Sequence, residues 1–381
     1  MKIIFIFLKN MIIKIIKCFL PLTLWLILTQ KLHKVFIRIG LLKNERLCAV
    51  FPFGTGLNKY LEQMNRAMAN IGIKADNHHI IEKTEYIWYN WIEIEYDDPK
   101  VINSVKSIAK AGKKIIWACH DRLPHETNEI EKSKEFMKMM ANLSRKIVVH
   151  SNQTVDVIRE LSGNNTQNLN KIVYVTHPNY IDVYGNELRD HELNNDKLVL
   201  CYFGLIKKYK NIELLISAIK ELDYKDIELK VFGQCVIDGY TDELKHLIGE
   251  NRNILAEFRF IDDIEIPKII ANSHLFILPY NLNSSLNSGA TIMSFSYGRS
   301  VISPLTGTLD DIEDKTMFYS YTYKTETEHY EKLKTQIMSI HDEYKGRYND
   351  LLIKGKQCQD YVRKNNSIEV VSKQIAKVFE G

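Results

Sequence analysis

Two doubly wound α/β domains with parallel sheets are the fold this sequence predicts, and three observations predict it. From residue 46 onward, short apolar runs alternate with longer amphipathic stretches. The alternation stops at a polar stretch, 184–197, and then restarts. With 381 residues, the chain accommodates two domains of about 100–200 residues each. Apolar residues make up 45% and charged residues 26%, a globular composition that excludes extensive disorder. A basic, apolar helical segment precedes the first domain. The predicted divisions are 1–45 for this segment, 46–190 and 191–348 for the two domains, and 349–381 for C-terminal helices.

Before Glu45 there are eight basic residues and no acidic one: Lys2, Lys9, Lys14, Lys17, Lys31, Lys34, Arg38 and Lys43. Lysines interrupt the apolar run, and the clean stretch Cys18–Thr29 is short for a span of about 20 residues. No small-residue cleavage site follows it, so a signal peptide does not fit. At helical spacing Lys31, Lys34 and Arg38 share one face, with Leu32 and Phe36 on the other side. The segment reads as an interfacial helix on an anionic leaflet, with Phe19, Trp25 and the leucines entering the headgroup boundary. A single membrane anchor and a helix packed on the domain core are the other readings. Either membrane reading puts the protein on the cytoplasmic face of the membrane.

Strand runs follow at LCAVF (47–51), YIWYNWIEI (86–94), KIIWACH (114–120), IVVH (147–150) and IVYVT (172–176). Helices are predicted over 58–72, 99–111 and 153–161. In the second half, strands are expected at 198–203, 227–232, 254–260, 275–279 and 301–303. Helices are expected at 212–222, 241–249, 264–272 and 289–297, and from Glu326 to the end. Ligands of such sheets bind beyond the carboxyl ends of the strands, which directs attention to the loops there.

The overall charge, +4, is too small and uneven for a nucleic-acid partner. The six cysteines are scattered through apolar runs with no CxxC pair, as buried thiols would be. In LVLCYFGLIKKYKN a strand ends at Gly204, and Lys207, Lys208 and Lys210 crowd the turn before a helix. Backbone amides at that helix start, together with lysines, suit a diphosphate; a solvated basic loop is the plain alternative. In ILPYNLNSSLNSGATIMSFSYGRSVISP a buried strand opens into an Asn/Ser loop, and Ser288–Gly289 begin a helix. Ser288 reads as a helix cap, a role compatible with an anion at the same helix end.

The order strand–Gly–loop–Lys–Asn–helix, then KVFG, FIDDIEIPKIIANSHLFILPY and NSGA…SYGRSVISP, resembles the donor domain of GT-B glycosyltransferases. It is similar to the group 1, family 4-like set that uses nucleotide sugars, in the variants found in bacterial polysaccharide and glycolipid synthesis. FPFGTGLNKY and IIWACHDRLPHE look like acceptor-domain loops of the same set. The resemblance implies two Rossmann-like domains facing a cleft, with the last helix crossing back to the first domain through Ile368, Val371, Ile375 and Val378. It implies a nucleoside-diphosphate sugar as donor, a lipid-linked saccharide as acceptor, and neither cofactor nor metal. Donor-binding residues carried over are Gly204, Lys207, Tyr209, Asn211, Gly233, Phe260, Ile261, Tyr280, Asn287, Ser288 and Gly289. On the acceptor side stand Gly54, Thr55, Gly56, Asn58, His125 and Glu126. Lys210 is expected to stabilise the leaving diphosphate, and His120 and Asp121 to serve the acceptor hydroxyl. The chain departs from the pattern where many retaining members carry Arg, here Leu205, and two glutamates, here Ser285 and Met293. A sugar-nucleotide epimerase or phosphorylase, or a catalytically silent partner subunit, are the readings from other classes.

Overall fold

The computed structural model describes residues 20–38, 46–53, 58–77, 81–123, 129–163, 165–185, 196–283 and 285–380. The chain divides into two units: residues 1–175 with 371–381, and residues 176–370.

The first unit is built on six strands: β1 (Arg46–Phe51), β2 (Ile73–Asp76), β3 (Tyr86–Asn90), β4 (Lys114–Ala118), β5 (Lys146–Val149) and β6 (Ile172–Tyr174). They lie in the order β2-β1-β3-β4-β5-β6, every neighbouring pair parallel. Cys48, Ala49, Ile87, Trp88, Ile115–Ala118 and Ile147–Val149 are buried, which is why these strands read as unbroken apolar runs. Helix Lys59–Asn70 starts on an Asn58 cap and helix Pro99–Lys110 on an Asp98 cap. β2 and helix Ile130–Leu143 are additions to the predicted elements.

The run 86–94 is not one strand. β3 stops at Asn90, Trp91 takes the left-handed conformation (φ 50°), and Ile92–Glu95 form a 3-10 turn. This break turns the Glu93 side chain into the unit's interior, where it is 1% exposed.

Helix Leu22–Arg38 packs on helix Pro99–Lys110 and buries Trp25, Leu26 and Thr29. Trp25, expected in the headgroup region, is therefore a core residue at 2% exposure, because its helix row is the one covered by protein. Leu24, Leu28, Leu32 and Val35 remain exposed, as do Lys31, Lys34 and Arg38. Phe19 lies outside the described residues. Among the described residues no helix is long and apolar enough to cross a membrane.

The second unit repeats the scheme with β7 (Leu198–Phe203), β8 (Ile227–Phe232), β9 (Ile254–Glu257), β10 (Leu275–Ile277), β11 (Ser300–Pro304) and β12 (Tyr319–Tyr321). Their order is β12-β11-β10-β7-β8-β9, again all parallel. The unit begins at Thr176, upstream of the polar stretch read as the connection. Tyr180 already belongs to this unit: its N–H donates to Ser296 Oγ at 2.8 Å. Helix Glu326–Asn365, kinked at Arg347, also stays with the second unit. Only residues 371–381 belong to the first unit, where Asn70 Nδ2 donates to Ser372 Oγ at 3.2 Å and the Phe379 ring packs on Tyr86 and Trp88.

Gly355 lets helix Glu326–Asn365 approach the turn after helix Gly289–Ser296. A Cβ at Gly355 would lie 2.2 Å from the Gly298 carbonyl oxygen. The obstacle is backbone, so no side-chain rotation relieves it. Gly355→Ala is expected to cost about 1–3 kcal/mol of stability by overpacking, read as a lower denaturation midpoint; an unchanged midpoint would show that the two helices separate freely.

Candidate active site

In the second unit the site grows from the carboxyl ends of β7, β8 and β10. Gly204 follows β7 and Gly233 follows β8, both at positive φ (143° and 154°). A Cβ on Gly233 would fall 1.8 Å from the Gly204 oxygen, so the two strand ends meet only because Gly233 has no side chain. The loops stay joined beyond them: Ile206 N–H donates to Gln234 O at 2.9 Å.

After Lys207, residues Lys208–Lys210 form one 3-10 turn, ended by Asn211 in the left-handed conformation. Asn211 Nδ2 donates to Pro279 O at 2.9 Å, and Asn281 N–H donates to Tyr209 O at 3.2 Å. The lysine turn is thus tied to the loop after β10. The turn separates the two outer lysines. Lys208 Nζ pairs with Glu243 at 2.6 Å and Glu213 at 3.4 Å and lies over the Tyr240 ring. Lys210 Nζ turns the other way, 3.8 Å from the centroid of the Tyr280 ring and 4.7 Å from that of Tyr209.

Tyr280 is 2% exposed and links the lysine to the helix start. Ser288 Oγ donates to Tyr280 Oη at 3.3 Å and accepts the Thr291 N–H at 3.1 Å, capping helix Gly289–Ser296. The Ser288 N–H donates to Thr308 Oγ1 at 3.2 Å. Ser288 is therefore both the predicted cap and part of the Lys210 cluster. Asn287 is half-buried in the same loop. Ser285 and Met293, which stand near where the resembled pattern has its two glutamates, are buried at 4% each. Of the residues expected near a nucleotide base, Phe260 is 65% exposed, while the Ile261 side chain belongs to the core and has only its backbone to offer. Sequence reading passed over His177 and Tyr180, both buried: a Cβ on Gly289 would sit 3.3 Å from Tyr180 Oη and 3.6 Å from His177 Nε2.

In the first unit β4 ends two residues before His120. Its ring stacks on Trp91 (centroids 4.6 Å apart, 23° between planes) and meets the edge of Tyr60 at 5.2 Å. His120 Nε2 is 3.4 Å from Asn90 Oδ1. Tyr60 Oη and His150 Nε2 are 2.8 Å apart, and His150 Nδ1 is 2.6 Å from Val175 O. A carbonyl accepts only, so His150 Nδ1 carries the proton and Nε2 accepts from Tyr60. Burial lowers the His150 pKa to about 4, consistent with a neutral ring.

Beneath His120 lies a residue the sequence reading placed inside a strand. Glu93 Oε1 accepts the His120 N–H at 3.1 Å, while Glu93 Oε2 is buried with no hydrogen-bond partner. Burial, then the neighbouring Asp121 charge, push the Glu93 carboxyl up to about 8. The shift favours the carboxylic acid over the carboxylate at neutral pH. Asp121 is half-buried beside it. Asn58 caps the helix Lys59–Asn70, its Oδ1 accepting the Leu61 N–H at 2.9 Å. Gly54, Thr55, Gly56, His125 and Glu126 lie outside the described residues.

Comparison with known proteins agrees with this architecture. Residues 185–284 match the family described as Glycosyl transferases group 1. HepE of Anabaena, crystallised with UDP, superposes with a TM-score of 0.63 at 12% identity, over 87% of this chain and 98% of that one. Sucrose-phosphate synthase of Thermosynechococcus elongatus superposes with a TM-score of 0.65 at 13% identity, over 88% and 98%. Identity this low shows a shared fold, and that fold is GT-B. The described residues of the matched segment lie in the second unit, which spans residues 176–370. A curated relative, the GDP-mannose:glycolipid 4-beta-D-mannosyltransferase of Xanthomonas campestris pv. campestris, is 23% identical over 105 residues. That match spans 28% of this chain and 30% of the relative's length.

Proposed function

We propose that this protein is a metal-independent glycosyltransferase that moves a sugar from a nucleoside-diphosphate sugar to a lipid-linked saccharide. The observation that carries the reading is the convergence of Lys210 with the Ser288-capped helix start through Tyr280. As the bond from the sugar's anomeric carbon to the diphosphate breaks, negative charge builds on the leaving oxygen. A fixed ammonium and helix N–H groups stabilise that charge without reorganising. The acceptor oxygen bonds to the same carbon and gives up its proton to a general base. The match to a transferase named for a glycolipid substrate supports a lipid-linked acceptor and a place in cell-surface polysaccharide synthesis.

The face of helix Leu22–Arg38 turned away from the first unit supports membrane attachment at the cytoplasmic surface. Leu24, Leu28, Leu32 and Val35 stand exposed beside Lys31, Lys34 and Arg38. Each basic residue near an anionic leaflet adds about 1 kcal/mol.

Two measurements test the reading. UDP-, GDP- and dTDP-sugars are assayed for slow hydrolysis and, by calorimetry, for binding; one of them is expected to bind and release its sugar. Binding without turnover on any acceptor would leave a silent partner subunit, and no binding would end the proposal. The triple change Leu24→Ser, Leu28→Ser, Val35→Ser spares the buried Trp25 row. It is expected to lower binding to phosphatidylglycerol vesicles and transfer to a lipid-linked acceptor while donor hydrolysis is retained. Unchanged vesicle binding would remove the helix from the membrane contact.

A further inference from the structure

Tyr180 presents a hydroxyl that the fold itself does not use. The segment from Thr176 to Tyr180 is clamped along the helices behind it. Asn179 N–H donates to Asn366 O at 2.8 Å, Asn366 Nδ2 donates to His177 O at 2.7 Å, and Tyr180 N–H donates to Ser296 Oγ. The Tyr180 side chain is held with equal firmness, 6% exposed and packed near the rings of His177 and Tyr184. Its Oη makes no hydrogen bond among the described residues and is not one of the sealed, unpartnered polar atoms of the interior, so it faces an opening rather than the core.

The hydroxyl is aimed at the start of helix Gly289–Ser296, 3.3 Å from where a Gly289 Cβ would stand. The first amides of a helix are donors with no partner of their own, and here Ser288 takes only that of Thr291. Lys210 reaches the same cluster through Tyr280 and Ser288. Burial holds the Tyr180 phenol well above its ordinary pKa, so it keeps its proton and remains a donor. A phenol, helix amides and an ammonium are all donors, and their common complement is an oxyanion. Neither glutamate of the resembled pattern is present to serve this helix, since Ser285 and Met293 stand there.

We propose that Tyr180 Oη donates a hydrogen bond to the distal phosphate of the nucleoside diphosphate and so distinguishes diphosphates from monophosphates. The inference rests on the donor-site reading above and assigns one of its contacts to a residue outside the lysine loop.

Tyr180→Phe removes one oxygen and breaks no internal hydrogen bond, so the fold should be untouched. The full chain and the variant are titrated calorimetrically with UDP and UMP and with GDP and GMP, and their melting temperatures compared. For the base that binds, diphosphate affinity is expected to fall about tenfold, the effect of one lost charge-assisted hydrogen bond. Monophosphate affinity and melting temperature should not move. Equal losses for diphosphate and monophosphate, or no loss for either, would overturn the assignment while leaving the donor site standing. If the native protein bound no nucleotide, the donor-site reading would fail first and this inference with it.

Discussion

Lys210→Ala is expected to slow sugar transfer about 10²–10³-fold, the loss typical when one preorganised donor to a developing oxyanion is removed. Lys208→Ala, two residues away, is expected to leave turnover near the native value. The contrast follows from where the 3-10 turn sends each side chain. Lys208 is pulled to the surface by Glu243 and Glu213, and its ion pairs are half-exposed, worth about 0–1 kcal/mol to stability. Lys210 is held over Tyr280, a ring itself fixed by its bond to Ser288. A cation seated on a buried ring is restrained before the donor arrives, which is the condition for electrostatic catalysis to act without reorganisation. The measurement is kcat and KM for the donor with each variant. Native turnover in Lys210→Ala would remove it from the mechanism, and a loss in Lys208→Ala as large as that in Lys210→Ala would show that charge alone, rather than placement, matters.

The sequence made the two sheets legible because buried parallel strands appear as unbroken apolar runs, as at Leu198–Phe203 and Ile227–Phe232. β2 and β12 are short, and β2 is only partly buried, so neither left such a run. Helix Ile130–Leu143 did leave a signal: Ser133, Phe136, Met137, Met140 and Ala141 are its buried row, at helical spacing. The lysine turn and the Ser288 helix start could be found because glycine, lysine and a capping serine fall at strand-to-helix junctions. Their connection through Tyr280 could not, since it depends on a side chain from another loop. Tyr180 and His177 were missed for the same reason, lying more than 100 residues from the helix they face. Polarity misplaced the division between units: the stretch 184–197 is polar, but the chain has already joined the second unit at Thr176. Trp25 misled in the opposite way, because an apolar helix row offers itself equally to lipid and to a neighbouring helix.

Glu93 was hidden in an apolar run, and its burial predicts a pH dependence of stability. A left-handed residue cannot be read from YIWYNWIEI, yet Trp91 in that conformation is what ends β3 and sends Glu93 inward. In the folded protein its carboxyl titrates near 8, against 4.5 without burial. Folding therefore favours the protonated form. The associated stability is fully present below about pH 4.5 and is lost progressively as pH rises toward 8, above which the loss is constant. At about 1.4 kcal/mol per pH unit, the penalty at pH 7 is about 3 kcal/mol. Glu93→Gln keeps an acceptor for the His120 N–H and cannot ionise. The variant and native proteins should melt at similar temperatures at pH 5, and the variant should gain a widening advantage between pH 5 and pH 8. Glu93→Leu, which loses the acceptor as well, leaves the His120 N–H unpaired and should be destabilised at pH 5 by about 1–3 kcal/mol. Melting curves of all three proteins across this range decide the matter. A constant difference between native and Glu93→Gln would show that Glu93 is ionised throughout, and the turn carrying His120 and Asp121 would then rest on a buried carboxylate instead of a neutral acid.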